Sequence, residues 1–310
     1  MGKVTVMGSF IQDIATYTPE FPVDGQTIVG YELKMGPGGK GSNQATAAAK
    51  FNAETIMITK LGRDAFATNC LDHYKNVGIS DKYVYYSETA STGAAPIIIH
   101  KERGENRIVV ILGANAELTV DEIRNAEEDI KTSDVLLTQY ETNTEAVLEF
   151  LALGKKHGKK LIVNPAPMMD MPAEVYKDID YVTPNETEAA VLAGVGPIET
   201  LDDAREAAKI IIAKGCKAVL MTLGSQGSFF YNGEKEINIK PLKVKAVDTT
   251  GAGDTFNGAF AAALAEGFDD ETAIKYATCM AGISVTRQGS APSIPTREEV
   301  DECFKANFGC

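Results

Sequence analysis

The stretch V-L-L-T-Q-Y-E-T-N-T-E-A-V-L-E-F-L-A-L-G-K-K-H-G-K-K-L-I-V-N, Val135 to Asn164, reads as a strand, a helix and a second strand. Val135–Thr138 and Leu161–Asn164 are short apolar runs without polar alternation, the pattern of strands covered on both faces. Thr142 and Glu145 stand at capping-box spacing before the amphipathic segment between them. A strand that returns through a helix to a neighbouring strand runs parallel to it. Outward from this unit the pattern repeats at Val4–Ser9, Thr55–Thr59, Tyr181–Thr183 and Ala218–Thr222, with further capping-box spacings at Thr119/Glu122 and Thr296/Glu299. The chain therefore reads as an α/β fold with a mostly parallel central sheet and helices on its faces.

Two regions break the alternation. Thr27–Met35 places Val29, Tyr31, Leu33 and Met35 on one face, a period of two that suits a strand with one buried side. Gly93–His100 and Asn106–Leu112 form two more such strands around the polar turn Lys101–Glu105. These strands make either a small lid sheet over the ligand crevice or an antiparallel extension of the main sheet.

With 310 residues, 44% of them hydrophobic, the chain can bury a large core, and no linker or repeat divides it. Residues 1–310 are expected to form a single domain. No apolar run approaches the roughly 20 residues of a membrane helix, and the first residues enter a strand pattern directly, so a cytoplasmic location is expected. The five cysteines, Cys70, Cys216, Cys279, Cys303 and Cys310, have neither disulfide-framework nor zinc-site spacing. A net charge of −13 argues against a nucleic-acid partner. His73, His100 and His157 are not spaced with other groups as metal ligands or a triad.

The chemistry concentrates in V-D-T-T-G-A-G-D-T-F-N-G-A, Val247 to Ala259. Gly251, Ala252 and Gly253 precede a helical stretch whose first N–H groups have no intrahelical partner, a ready anion site. Asp254 at its mouth would repel a phosphate, but it can take the proton of an attacking hydroxyl while the amides hold a transferring group. Asp is also a favoured helix cap, so a purely structural turn is the competing reading. Gly36–Gly41 satisfies G-x-G-x-x-G, which alone would suggest a dehydrogenase, yet it does not follow the first core strand as a dinucleotide fingerprint must. Lys40 and Asn43 there can point polar groups at a small ligand. Asn185 and Glu188 form a capping pair after a strand, and Glu188 can also hold magnesium at the sheet edge where doubly wound folds bind ligands. Glu141, Asn164–Pro167 and Thr222–Gly227 end other strands on that edge.

Together, G-G-K-G-S-N-Q-A from Gly38, N-P-A-P from Asn164, T-P-N-E-T-E-A from Thr183, T-L-G-S-Q-G from Thr222, the Val247 segment and S-V-T-R-Q-G-S-A-P-S-I-P from Ser284 resemble the ribokinase family of carbohydrate kinases over nearly the whole chain. The resemblance implies a three-layer α/β/α fold with a small β lid, contributed by about residues 14–35 and 93–112, that also forms a homodimer contact. It implies an ATP-dependent pentose kinase. Asp254 resembles the general base, and Gly251, Ala252 and Gly253 the anion hole for the γ-phosphate. The sugar would be gripped by Asp13, Gly39, Lys40, Gly41, Asn43 and Glu141. ATP would lie along Asn185, Thr222, Leu223, Gly224, Ser225, Gly227, Gly253 and Thr278, with Glu188 serving Mg2+. Asp248, Thr250, Ser284, Arg287, Gly289 and Ser293 match the positions of an activating monovalent cation, K+.

One position departs from the pattern. Ribokinases usually carry Asn two residues before the sugar-binding Asp, and here that residue is Ile11. A sugar hydroxyl buried against isoleucine without a partner costs about 1–3 kcal/mol, which favours 2-deoxy-D-ribose over D-ribose unless Gln12 or a water replaces the contact. Fructose, another hexose or a nucleoside are the alternative acceptors. A sugar-sensing protein without catalysis should lack the base or the glycines, and this chain has both.

Overall fold

A computed structural model describes residues 1–309; Cys310 lies outside the described residues. The strands are β1 (Lys3–Met7), β2 (Ile11–Thr18), β3 (Glu32–Gly38), β4 (Glu54–Leu61), β5 (Ser80–Tyr86), β6 (Gly93–His100), β7 (Asn106–Ile108), β8 (Val135–Thr138), β9 (Lys160–Val163), β10 (Tyr181–Val182), β11 (Ala218–Thr222), β12 (Ser228–Tyr231) and β13 (Glu236–Ile239). The helices are α1 (Lys40–Lys50), α2 (Ala65–Val77), α3 (Val120–Arg124), α4 (Glu127–Thr132), α5 (Thr144–Lys156), α6 (Glu186–Ala193), α7 (Leu201–Ile212), α8 (Ala252–Glu266), α9 (Asp270–Ser284) and α10 (Arg297–Phe308).

The central sheet has the order β13-β12-β11-β10-β9-β8-β1-β4-β5. The pairs from β11 to β5 are parallel, and the β11-β12-β13 edge is antiparallel. Its strands alternate between two cores, which is why they read as continuous apolar runs. Leu137, Ile162 and Leu220 face α1, α2, α8, α9 and α10, whereas Leu136, Leu161 and Val219 face α3 to α7. The result is the three-layer α/β/α arrangement. From β1 the chain builds outward to β4 and β5, then restarts at β8 on the other side. This reversal opens a crevice beyond the carboxyl ends of β1 and β8, the usual ligand site of an open α/β sheet.

The interrupting strands form a separate four-stranded sheet, β3-β2-β6-β7, rather than an extension of the main one. It starts earlier than expected, at Ile11, because β2 leaves the core directly after β1 and pairs with β3 and β6. Asn115 fastens this exit: its side-chain amide donates to the carbonyl of Phe10 at 2.9 Å and accepts from the Phe10 N–H at 3.1 Å.

Several expectations need correction. The strand expected from Thr27 begins at Glu32, and the one expected to reach Leu112 ends at Ile108, with Ile111 returning only as a bridge to Ala94. The alternating apolar face is not buried within the chain: Val29 is 87% exposed, Leu33 59% and Met35 49%. A sheet standing off the core has no layer of its own chain to cover that face. The α5 cap is Asn143, whose side chain accepts from Ala146 N–H, and not Thr142. Thr142 is buried with its hydroxyl against Met7 Sδ and is not free to cap. The boxes at Thr119/Glu122 and Thr296/Glu299 form as expected.

Candidate active site

The crevice gathers residues from β2, from the ends of several core strands and from the starts of α1, α6 and α8. Helix α8 opens at Gly251, whose φ of +72° is the left-handed conformation glycine adopts without strain. A side chain there would also meet Ser290 Cβ at 3.0 Å. No side chain caps this helix, and the N–H groups of Gly253 and Asp254 take part in none of the backbone hydrogen bonds that close its first turn. Thr255 and Asn257 instead send their side-chain donors back to the carbonyls of Gly251 and Gly253, both at 2.9 Å. The space beside Gly253 is open. Unclaimed amides at a helix start with open space before them can hold an oxyanion.

Asp254 lies on the first turn of α8 and is 9% exposed. Two consecutive residues of α1 hold its oxygens: Asn43 Nδ2 donates to Oδ2 at 3.1 Å and Gln44 Nε2 to Oδ1 at 3.0 Å. Asn43 Oδ1 is buried without a partner, an acceptor that a ligand hydroxyl would satisfy.

Helix α1 begins after Gly39, and the Lys40 N–H donates to Glu141 Oε2 at 2.9 Å while Ser9 Oγ donates to the same oxygen. Glu141 is thus fixed beyond β8 against the start of α1. Burial raises its pKa, and the Lys40 charge works against that rise. Burial disfavours the Lys40 ammonium, but the carboxylates of Asp254, Glu141 and Glu188 outweigh it and hold its pKa above the ordinary lysine value. Asp13 comes from β2, with Ser290 Oγ donating to its Oδ2 at 3.2 Å. Burial first, and the charges of Glu141 and Asp254 next, raise Asp13 to about 6 against the Ser290 hydrogen bond. Four carboxylates around one ammonium leave the crevice negative, so an anionic ligand needs cations as well as amides.

Ile11 lies two residues before Asp13 on β2 and is buried. Gln12 points the other way along the alternating strand. Its amide donates to the Gly36 carbonyl at 2.8 Å and its oxygen accepts from Asn69 at 3.0 Å, so Gln12 cannot supply the contact that Ile11 lacks.

Across the crevice, Asn185 caps α6 in a capping box with Glu188 and forms a bridge to Thr222. The structural reading of this pair holds, with Glu188 Oε2 accepting from the Asn185 N–H at 2.8 Å, and the other Glu188 oxygen accepts no hydrogen bond among the described residues. Burial raises the Glu188 pKa. Thr222–Gly227 continues past β11 as a tight turn in which Leu223 N–H meets the Gly227 carbonyl at 2.8 Å. Gly224 and Ser225 are exposed along it, whereas the Leu223 side chain packs into the core, so only its backbone can reach a ligand. Thr278 lies on α9 with its hydroxyl bonded to the Ile274 carbonyl.

The remaining positions form a pair of loops beside the α8 start. Asp248 staples them, accepting from Thr250 N–H and Gly289 N–H, each at 2.9 Å, and these hydrogen bonds hold its pKa below the ordinary value against the effect of burial. The Arg287 guanidinium pairs with Glu299, and the Ser284 carbonyl accepts from Arg287 N–H. The carbonyls of Arg287 and Gly289 are unused in the backbone hydrogen bonds of these loops, and Ser293 Oγ turns to the Ser290 carbonyl. Oxygen donors of this kind suit a monovalent cation. Among the described residues no cluster of three or more His, Cys, Asp or Glu can hold a metal ion. Magnesium bound through one carboxylate and substrate phosphates needs no such cage, so Glu188 fits that arrangement. Ser9 and Gln139 complete the cluster without any spacing in the sequence that marks them, as do Gln44 and Ser290, which lie inside the quoted segments from Gly38 and Ser284 but carry no role in the sequence reading.

A buried carboxylate beside unclaimed helix-start amides, at the reversal point of a mostly parallel sheet, defines a phosphotransferase-type α/β site. Residues 1–297 match the profile of pfkB family carbohydrate kinases, and the chain belongs to that family. It is 37% identical to a deoxyribokinase of Salmonella typhi over 305 residues, 98% of this chain and 99% of that protein. To a ribokinase of Haemophilus influenzae it is 39% identical over 301 residues, 96% and 97% of the two chains. The fold matches that of an Arabidopsis thaliana ribokinase solved with ribose and ATP with a TM-score of 0.91, at 32% identity and covering 98% and 99% of the two chains.

The raised Asp13 has a consequence for stability. Its folded-state pKa of about 6 lies above the unfolded value of 3.8, so the folded chain binds this proton more tightly. Stability from this group is full below the unfolded pKa and is lost as pH rises through about 6. Asp13→Asn is therefore expected to stabilise the ligand-free protein at about pH 7.5 by about 1–3 kcal/mol in urea unfolding, with little gain at about pH 4.

Proposed function

We propose that the protein is an ATP-dependent pentose kinase that phosphorylates the 5-hydroxyl of D-ribose or 2-deoxy-D-ribose, with preference for the deoxy sugar. The observation that carries this reading is Asp254 beside the free amides of Gly253 and itself, close enough to Asp13 for the two charges to act on each other, with the buried apolar Ile11 two residues before Asp13 on β2. The names of the two curated relatives, a deoxyribokinase and a ribokinase, support both acceptors.

The sugar sits between β2 and α1, with Asp13, Asn43, Lys40 and Glu141 on its hydroxyls and the Gly39–Gly41 backbone close against it. Asp254 takes the proton of the primary hydroxyl as that oxygen forms its bond to the γ-phosphorus. The bond from phosphorus to the β-bridging oxygen breaks, and ADP leaves. Of the Gly251–Asp254 turn, the free amides of Gly253 and Asp254 hold the transferring oxygens, since the Ala252 N–H is spent on the Thr249 carbonyl, and the Lys40 charge offsets their growing negative charge. The nucleotide lies along Asn185, Thr222, Leu223, Gly224, Ser225 and Gly227, with Thr278 at its far side. Glu188 would hold Mg2+ directly or through water, and the ion would supply charge neutralisation on the phosphates. K+ among the loop oxygens at Asp248, Thr250, Ser284, Arg287, Gly289 and Ser293 would fix the shape of the anion hole. The small sheet covers the sugar, and its exposed apolar residues support a homodimer through that sheet. The free thiols of Cys70, Cys216, Cys279 and Cys303 suit a cytoplasmic setting.

Three outcomes are expected. Asp254→Asn should lower turnover by about 10²–10⁴-fold while leaving nucleotide affinity, measured by titration calorimetry, close to wild type. Near-normal turnover in that variant would remove Asp254 from the base role. Ile11→Asn should shift kcat/KM toward ribose relative to 2-deoxyribose by about 5- to 150-fold, and an unchanged ratio would show that Ile11 does not face the distinguishing hydroxyl. Leu33→Glu should convert a dimer to a monomer in sedimentation equilibrium, whereas a monomeric wild type would end the dimer reading.

A further inference from the structure

Behind Asp254 lies a chain of buried amides that substrate binding does not use. Gln44 Nε2 donates to Asp254 Oδ1 at 3.0 Å and also to Asn164 Oδ1 at 3.1 Å. Gln44 Oε1 accepts from Gln139 Nε2 at 2.6 Å. Asn164 Nδ2 in turn donates to the Thr183 backbone carbonyl at 2.8 Å. Gln44, Gln139 and Asn164 are all buried, so each unmade bond would carry a desolvation cost.

An amide side chain can usually be turned over with little change of shape, because its oxygen and nitrogen are alike in size. Here the direction is set from one end. A backbone carbonyl only accepts, so the Thr183 oxygen requires Asn164 Nδ2 to face it. Asn164 Oδ1 must then face Gln44, which requires Gln44 to present Nε2, and the same nitrogen reaches Asp254. Turned over, Gln44 would set its oxygen against both the Asp254 carboxylate and Asn164 Oδ1, and its nitrogen against Gln139 Nε2. Gly8 makes room for the chain, since a Cβ there would stand 2.1 Å from Gln139 Oε1. The links come from the ends of β8, β9 and β10, from α1 and from α8, so the rigid edge of the sheet reaches the carboxylate through them.

We propose that Gln44, held in one orientation by Asn164, the Thr183 carbonyl and Gln139, is a positioning residue that holds Asp254 as a proton acceptor aimed at the sugar hydroxyl. This gives the N-P-A-P segment at Asn164 a role in orienting the base in place of contact with a ligand. The inference rests on the reading of Asp254 as the base. Two donors from α1, Asn43 and Gln44, occupy one lone pair on each Asp254 oxygen and leave the others for the substrate. The charged groups acting on this carboxylate are Lys40 on α1, Asp13 on β2, Glu141 beyond β8 and Glu188 on α6. Three of the four are acids that repel this carboxylate, so the neutral donors from α1 are what hold its oxygens in place.

The test compares wild type with Gln44→Met, which keeps the length of the side chain but has no donor, Asn164→Leu, which leaves Gln44 without its anchor, and Asp254→Asn. Single-turnover rates are measured against pH at saturating pentose and MgATP, with nucleotide affinity measured alongside. Gln44→Met is expected to move the acid limb of the rate profile upward by about one to two pH units, the equivalent of one hydrogen bond to a charged group, and to recover activity at alkaline pH. Asn164→Leu should move it the same way by less, and nucleotide affinity should stay within about twofold of wild type in both. If Asp254→Asn is inactive while the Gln44 and Asn164 variants keep the wild-type limb, or lose rate equally at every pH, the positioning role is refuted and the base role stands. Near-normal turnover in Asp254→Asn would refute both.

Discussion

The contact between two helix starts governs this molecule. Helix α8 presents amides without partners, and its first turn carries Asp254, whose two oxygens are held by consecutive residues of α1. Amides attract an anion and the carboxylate repels it, so neither helix start alone would make a useful site. Packed together at the reversal point of the sheet, they bring free amides and a buried carboxylate to one crevice, the arrangement that the proposed transfer needs. The small residues of both helices allow that closeness: Gly258 of α8 lies so near the Gln44 carbonyl that a Cβ would meet it at 2.2 Å.

Assembling the site costs stability. Asp13, Glu141 and Glu188 are all shifted toward their neutral forms, first by burial and then by one another or by Asp254. A polypeptide selected only for stability would not hold four acids around one lysine. In the proposed reaction, a sugar whose hydroxyls donate to these carboxylates, together with cations that accompany a nucleotide, would offset that cost.

Much of this was legible in the sequence. Strands buried on both faces announce themselves as short apolar runs, so β1, β4, β8, β9, β10 and β11 were readable along with the parallel sheet they form. The antiparallel edge strands β12 and β13 were not, because Ser228–Tyr231 and Glu236–Ile239 are short and mixed in polarity. The alternation of Val29, Tyr31, Leu33 and Met35 says that these residues share a face but not what covers it, and among the described residues nothing does. Thr142 and Asn143 are both competent caps, and only the packing of Thr142 against Met7 decides between them. In the site, Gly251–Asp254 and Lys40–Asn43 stand out because backbone anion binding demands unusual local sequences. Gln44 and Asn164 fall inside quoted segments, G-G-K-G-S-N-Q-A and N-P-A-P, and Gln139 in none, but nothing in those segments ties the three together. Their meaning comes from meeting one another across separate strand ends and helices, which no local spacing records.

A ternary complex with a pentose and a non-hydrolysable ATP analogue tests the central claim most directly. Its crystal structure should place the sugar's primary hydroxyl within hydrogen-bond distance of Asp254, with the γ-phosphoryl group on the amides of Gly253 and Asp254. A sugar whose primary hydroxyl points away from Asp254, or a terminal phosphate bound elsewhere than at the start of α8, would contradict the account.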